Sequence, residues 1–140
     1  MGPGEQLYVA LVHAARRLRA LDYELGLSPA RFSLLATLRY QGPQNVSRLA
    51  QLEDVSQPTV TKLVNALERD GLVERRPDPA DGRACAVHLS PSGRALVRRA
   101  RARKIAYVDS VTVGMDVSTV TAVAEALDGG ATPRKGSHQT

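Results

Sequence analysis

The residues best equipped to act on a partner molecule lie between positions 56 and 83. In Ser56-Gln57-Pro58-Thr59-Val60-Thr61-Lys62-Leu63-Val64-Asn65-Ala66-Leu67-Glu68-Arg69, Val60, Leu63, Val64 and Leu67 recur at helical spacing. At about 100° per residue, Pro58, Thr61, Lys62, Asn65 and Arg69 then fall opposite Val60 and Leu67, with Gln57 and Thr59 in the first turn. Short hydroxyl and amide groups can donate to and accept from base edges, and a cation beside them suits a guanine or a phosphate. A helix N-terminus adds unsatisfied N–H groups for a phosphate. The same polar face would also serve a plain amphipathic helix that meets only water.

A second cluster follows. Pro77-Asp78-Pro79-Ala80-Asp81-Gly82 is dense in turn formers and separates two runs, 72–76 and 84–89, that read as short strands. The hairpin so formed carries Arg83, and an arginine on a narrow loop is drawn to the negative potential of a narrow minor groove. Asp81 is placed to pair with that guanidinium and orient it. An Asp-Gly hairpin with a surface arginine is also common without any such role.

Charge agrees with a polyanionic partner. The net charge is +5, and residues 44–104 alone carry that excess, while the last 36 residues are net negative. Between Gly82 and Lys104 stand Arg83, Arg94, Arg98, Arg99, Arg101, Arg103 and Lys104 with no acid among them. Such a stretch favours nucleic acid, although an arginine-rich solvated helix would read alike.

These groups need elements to hold them. Leu7, Leu11, Ala14, Ala15, Leu18, Leu21 and Leu25 predict a first helix of about 20 residues. Ser28-Pro29 starts a second, with Phe32, Leu35, Ala36 and Leu38 inward, which stops at Gly42-Pro43. Ser47 is expected to cap a short third helix with Leu49, Ala50 and Leu52, and Ser56 to cap the fourth, which ends at Gly71. After the hairpin, Ser90-Pro91 restarts a long helix, basic at first and apolar through Ile105, Tyr107, Val108 and Val111. A last helix from near Asp116 bears Val120, Val123, Ala124 and Leu127 along one side. The pattern is mainly α with a small β-hairpin wing, a winged helix-turn-helix, in which the second helix of the motif enters the major groove.

The stretch from Val55 to Glu68, continued by Asp70-Gly71-Leu72-Val73-Glu74-Arg75, resembles the recognition helix and first wing strand of the MarR family. Asp78, Asp81, Gly82 and Arg83 match that family's wing motif, and Leu89-Ser90-Pro91-Ser92-Gly93 its strand-to-helix junction. The resemblance covers roughly residues 5–128. It implies a dimeric transcriptional regulator whose end helices form the dimer and whose lobes each read a half-site. In the family, small molecules, often phenolic, or oxidants commonly weaken DNA binding.

The expectations are therefore these. A single domain spans 5–128, with dimerisation helices at 5–27 and 105–128, a DNA-binding lobe at 28–104 and a disordered tail at 129–140. The DNA-contacting set is Ser56, Gln57, Thr59, Thr61, Lys62, Asn65, Arg69, Arg75, Asp81 and Arg83. Leu7, Leu11, Val120, Val123 and Leu127 make the dimer. The partners are a pseudo-palindromic double-stranded operator, a second copy of the chain and a small aromatic or phenolic effector, with repression the commoner outcome. No effector-binding residue is identified; His13, Arg16 and Arg17 read as plain surface residues.

Other classes fit less well. His13, His88 and His138 are scattered, and no zinc, phosphate-loop or nucleophile motif is present, so neither an enzyme, a metal site nor a cofactor is expected. The family's peroxide-sensing branch uses a cysteine in the first helix, which here has none; Cys85, the single cysteine, reads as a small packing residue. No apolar run approaches the ~20 residues of a membrane span, and the opening residues lack a signal-peptide layout, so a cytoplasmic protein is expected. A winged-helix protein-interaction module that does not bind DNA is the remaining alternative, disfavoured by the basic stretch and Arg83.

Overall fold

A computed structural model describes residues 1–130 apart from Pro79, Asp81, Arg83 and Ala84. Its elements in chain order are α1 (Pro3–Glu24), α2 (Pro29–Gln41), β1 (Gln44–Asn45), α3 (Val46–Glu53), α4 (Gln57–Arg69), β2 (Val73–Pro77), β3 (Cys85–Leu89), α5 (Pro91–Thr112) and α6 (Val117–Gly130). The chain divides into two compact units, residues 1–105 and the residues from 106 onward, and α5 runs through the boundary.

The first unit holds the core. Leu27, Leu34, Leu35 and Leu38 meet Leu49 from α3, Val60, Val64 and Leu67 from α4, Val73, Val87 and Leu89 from the sheet, and Val97 and Ala100 from α5. With no tryptophan and one phenylalanine in the chain, aliphatic branches fill this interior. Phe32, expected inward, is only half-buried, with the Lys104 ammonium 3.1 Å from its ring centroid. Phe32 packs against the edge of the core, and Leu34 joins Leu35 and Leu38 in the interior from α2.

The strands form one antiparallel sheet in the order β1-β3-β2. The sequence reading had only the β2–β3 hairpin. β1 is two residues long and pairs Gln44 with Val87 and Asn45 with Ala86, too short to leave an alternation pattern. The cap of α3 is also corrected: Asn45 Oδ1, not Ser47, accepts the Arg48 N–H at 2.7 Å. Asparagine is as good a cap as serine, and here it starts the helix two residues earlier. The caps at Ser28 and Ser56 are as expected, accepting from the N–H of Arg31 and of Thr59.

The junction after the sheet has a steric reason for its Ser-Pro-Ser-Gly order. The Ser90 hydroxyl donates to the Gly71 carbonyl at 2.6 Å and accepts from the Gly93 N–H at 3.0 Å. A Cβ on Gly93 would stand 2.0 Å from the Leu72 carbonyl oxygen, so no larger residue fits where the first turn of α5 meets the backbone between α4 and β2. Gly71 itself has φ +72°, the left-handed conformation that ends α4 without strain.

In the second unit, α6 carries Val117, Val120, Val123 and Leu127, and none of residues 117–129 is fully buried. Gly114 and the Thr112–Met115 turn precede it, and the Asp116 carbonyl accepts the N–H groups of Thr119 and Val120. The tail beyond Gly130, where disorder was expected, lies outside the described residues.

Candidate nucleic-acid interface

The interface is built on α3, the turn after it and α4. Helix α3 ends at Asp54, whose φ of 53° and ψ of 48° are left-handed, and this turns the chain sharply into Ser56. Ser56 Oγ caps α4 through the Thr59 N–H at 3.3 Å and meets the Thr59 hydroxyl at 2.9 Å. Gln57 Nε2 donates back to the Ser47 hydroxyl at 3.3 Å, tying the two helices of the motif together.

Burial settles the facing of α4. Val60, Val64 and Leu67 are fully buried, and Leu63 is half-buried. Gln57, Pro58, Thr59, Thr61, Lys62, Asn65 and Arg69 are all exposed. The wheel drawn from the sequence therefore corresponds to the facing in the structure. Among the described residues, Thr61, Lys62 and Arg69 have no side-chain hydrogen bond or ion pair, so their groups are available to a partner.

Arg75 is placed differently from its neighbours on the wing. Side chains alternate along a strand, so Arg75 shares the face of buried Val73 and points toward α4, while Glu74 and Arg76 pair with each other at 2.7 Å. Its guanidinium donates to Glu68 Oε1 at 2.7 Å and to Asn65 Oδ1 at 2.6 Å. The Asn65 amide is thereby oriented: its oxygen is engaged and its Nδ2 hydrogens remain to donate. This coupling was missed from sequence, although counting by two from Val73 would have placed Arg75 on that side.

The wing strands run in register from Val73 opposite Leu89 to Pro77 opposite Cys85. At the start of the loop, Asp78 Oδ1 accepts the Ala80 N–H at 2.9 Å. Asp81 and Arg83, the two loop residues expected at the DNA, lie outside the described residues. The reading of Cys85 as a packing residue is corrected. Its side chain is exposed although alternation gives it the face of Val87 and Leu89, because Cys85 is the first residue of β3 and pairs with Pro77 at the loop end of the sheet, beyond the core.

The basic stretch is less uniform than its sequence suggests. Arg103 pairs with Glu24 and Lys104 with buried Asp22 at 3.1 Å, so two of its cations fasten α5 to the end of α1. Arg94, Arg98, Arg99 and Arg101 are exposed. His13, Arg16 and Arg17 are exposed on α1, as expected of plain surface residues. Of the residues assigned to the dimer, Leu7, Leu11, Val123 and Leu127 are exposed and Val120 is half-buried.

A short helix, a tight turn, a second helix with a polar outer face and a three-stranded antiparallel wing define a winged helix-turn-helix protein. The model of the MarR family matches residues 27–85, from two residues before α2 to the first residue of β3. An uncharacterized HTH-type transcriptional regulator of Mycobacterium leprae is 37% identical over 95 residues, 68% of this chain and 66% of that protein, so the match spans just under two thirds of the relative. The HTH-type transcriptional repressor NicR of Pseudomonas putida is 37% identical over 71 residues, 51% of this chain and 45% of its own. The solved structure of a MarR family protein from Bacillus stearothermophilus superposes with a TM-score of 0.80 at 20% identity, covering 91% of this chain and 89% of that one. Over its helix-turn-helix and wing the chain matches the MarR family. No helix among its described residues is long and apolar enough to cross a membrane.

Proposed function

We propose that the chain is a cytoplasmic transcriptional repressor that binds a pseudo-palindromic duplex as a homodimer and is released by a small aromatic or phenolic effector. The observation that carries DNA binding is the division of α4. Its apolar side is consumed by the core, and its outer side offers hydroxyls, an oriented amide and two cations, Lys62 and Arg69, without a partner among the described residues. In the major groove, Asn65 Nδ2 would donate to an acceptor such as guanine O6 or N7 or thymine O4. Lys62 and Arg69 would meet phosphate or guanine, and the capped N-terminus at Ser56, Gln57 and Thr59 would face a phosphate. Thr61 adds a hydroxyl for either edge. The wing, with Arg83 and Asp81, would reach the adjacent minor groove.

Dimerisation is supported by the exposure of Leu7 and Leu11 on α1 and of Val123 and Leu127 on α6. Apolar rows of this kind seek a partner surface. Repression is supported by the repressor among the relatives, and effector release by the family resemblance alone.

The test is fluorescence anisotropy with the chain's own upstream intergenic duplex against an unrelated duplex of equal length and matched salt. The expected result is tight, saturable binding whose footprint shows two half-sites about one helical turn, ~10 bp, apart. Equal affinity for the two duplexes at physiological salt would leave the protein-interaction module as the better reading.

A further inference from the structure

A small cavity of about 110 Å³ opens between the last turn of α2 and the first half of α5, lined by Arg39, Arg94 and Arg98. One guanidinium nitrogen of Arg39, Nη1, is buried and has no hydrogen-bond partner among the described residues. Ion pairs within those residues take up Arg31, Arg75, Arg76, Arg103 and Lys104, and none of them reaches this cavity. Arg94 and Arg98 are four apart on one helix face, a spacing at which like charges destabilise. A buried cationic donor left without an acceptor costs more still. Three arginines thus line one cavity, and one of them has a buried N–H group that an anionic acceptor would satisfy.

We infer that this cavity is a binding site for a phosphate-type oxyanion. Its volume is well above what a single water needs, so a tetrahedral oxyanion fits. Guanidinium forks are planar and present paired donors that match phosphate oxygens bidentately. Among the described residues no aromatic or aliphatic side chain lines the cavity, so they offer nothing to the ring of an aromatic acid. The site lies on α2 and α5, not on α4 or the wing, and its ligand is either a free phosphate group or a backbone phosphate of bound DNA.

Calorimetric titration of the full chain with inorganic phosphate, at ionic strength held constant with chloride, tests the site whether or not the chain binds DNA. Saturable binding of one phosphate per chain is expected, weakened at least tenfold in Arg39→Gln and in Arg94→Gln. It should be unchanged in Arg48→Gln, an exposed arginine on α3. In phosphate-free buffer Arg39→Gln should melt no lower than the parent, because the group removed has no partner to lose, and phosphate should raise only the parent's melting temperature. A salt titration of duplex affinity separates the two sources. If Arg94→Gln lowers the slope by about one and bound duplex excludes phosphate, the ligand is the DNA backbone. If the slope is unchanged and phosphate still binds the complex, the ligand is free phosphate. Absence of saturable phosphate binding together with an unchanged slope would overturn the site. So would a lower melting temperature for Arg39→Gln with undiminished phosphate affinity in Arg94→Gln, which would make the cluster structural.

Discussion

Helices α4 and α6 are similar in length and both present an apolar row, yet they dispose of it in opposite ways. On α4, Val60, Val64 and Leu67 are wholly enclosed by the chain's own core, so what remains outside is polar and free to recognise something. On α6, Val123 and Leu127 stay 42% and 45% exposed, so the apolar row itself is what remains to be covered. An amphipathic pattern therefore does not say which side is functional. That depends on which side the fold uses up. A buried apolar side makes the polar side an interface for a polar ligand, and an exposed apolar side makes an interface for a second protein surface.

The sharpest way to break the comparison is to remove the same kind of side chain from each helix. Leu67→Ala should lower stability by about 2–5 kcal/mol, the range for emptying a closed core site, seen as a large fall in melting temperature. Leu127→Ala should move the melting of the dissociated protein by no more than ~0.5 kcal/mol. Equal losses at the two positions would mean that α6 is as enclosed as α4.

The next effect falls on the polar side of α4. Asn65→Ala should cost discrimination of about 1–3 kcal/mol at one base pair of each half-site, read from affinities for a panel of single-substitution duplexes. Arg75→Lys keeps the charge but loses the fork that holds Asn65, so it should relax preference at the same base pair by less. Changed preference at a different pair, or none in either variant, would show that the Asn65 amide is not read as positioned here.

On the apolar side of α6, Val123→Asp combined with Leu127→Asp should weaken self-association at least tenfold, about 1.4 kcal/mol. Sedimentation at several concentrations would show it. A chain that remains dimeric with both aspartates must dimerise through some other surface.

The smallest expected change is in the wing. Arg83→Ala should alter stability by no more than ~0.5 kcal/mol while reducing the salt dependence of duplex affinity by about one per half-site. Asp81→Ala should mimic it more weakly. A marked fall in melting temperature with an unchanged slope would make Arg83 a structural residue.

Much of this was legible in the sequence because it depends on local periods and local chemistry. The facing of α4 follows from 3.6-residue periodicity, and the caps at Ser28 and Ser56 from hydroxyls placed just before Pro29 and Gln57. The hairpin follows from turn formers between two short runs. The cap of α3, by contrast, is ambiguous in the sequence, because Asn45 and Ser47 stand two residues apart and are equally capable. Cys85 has the phase of Val87 and Leu89, but it stands at the loop end of the sheet, and where the core stops along a strand is not recorded in its alternation.

What the chain's order of residues determined by itself, then, was the set of elements and the outward face of the recognition helix, since both arise from interactions within a few residues. Tertiary structure alone decided which distant charges meet. Arg75 reaches across to Asn65 and Glu68, and Arg103 and Lys104 reach Glu24 and Asp22 some eighty positions away. Arg39 joins Arg94 and Arg98 around one cavity. In the sequence these are only cations in a basic chain. Whether a long flexible side chain is paired, buried or left facing another of its own charge is set by the packing of helices and strands far apart in sequence. No local period records that packing.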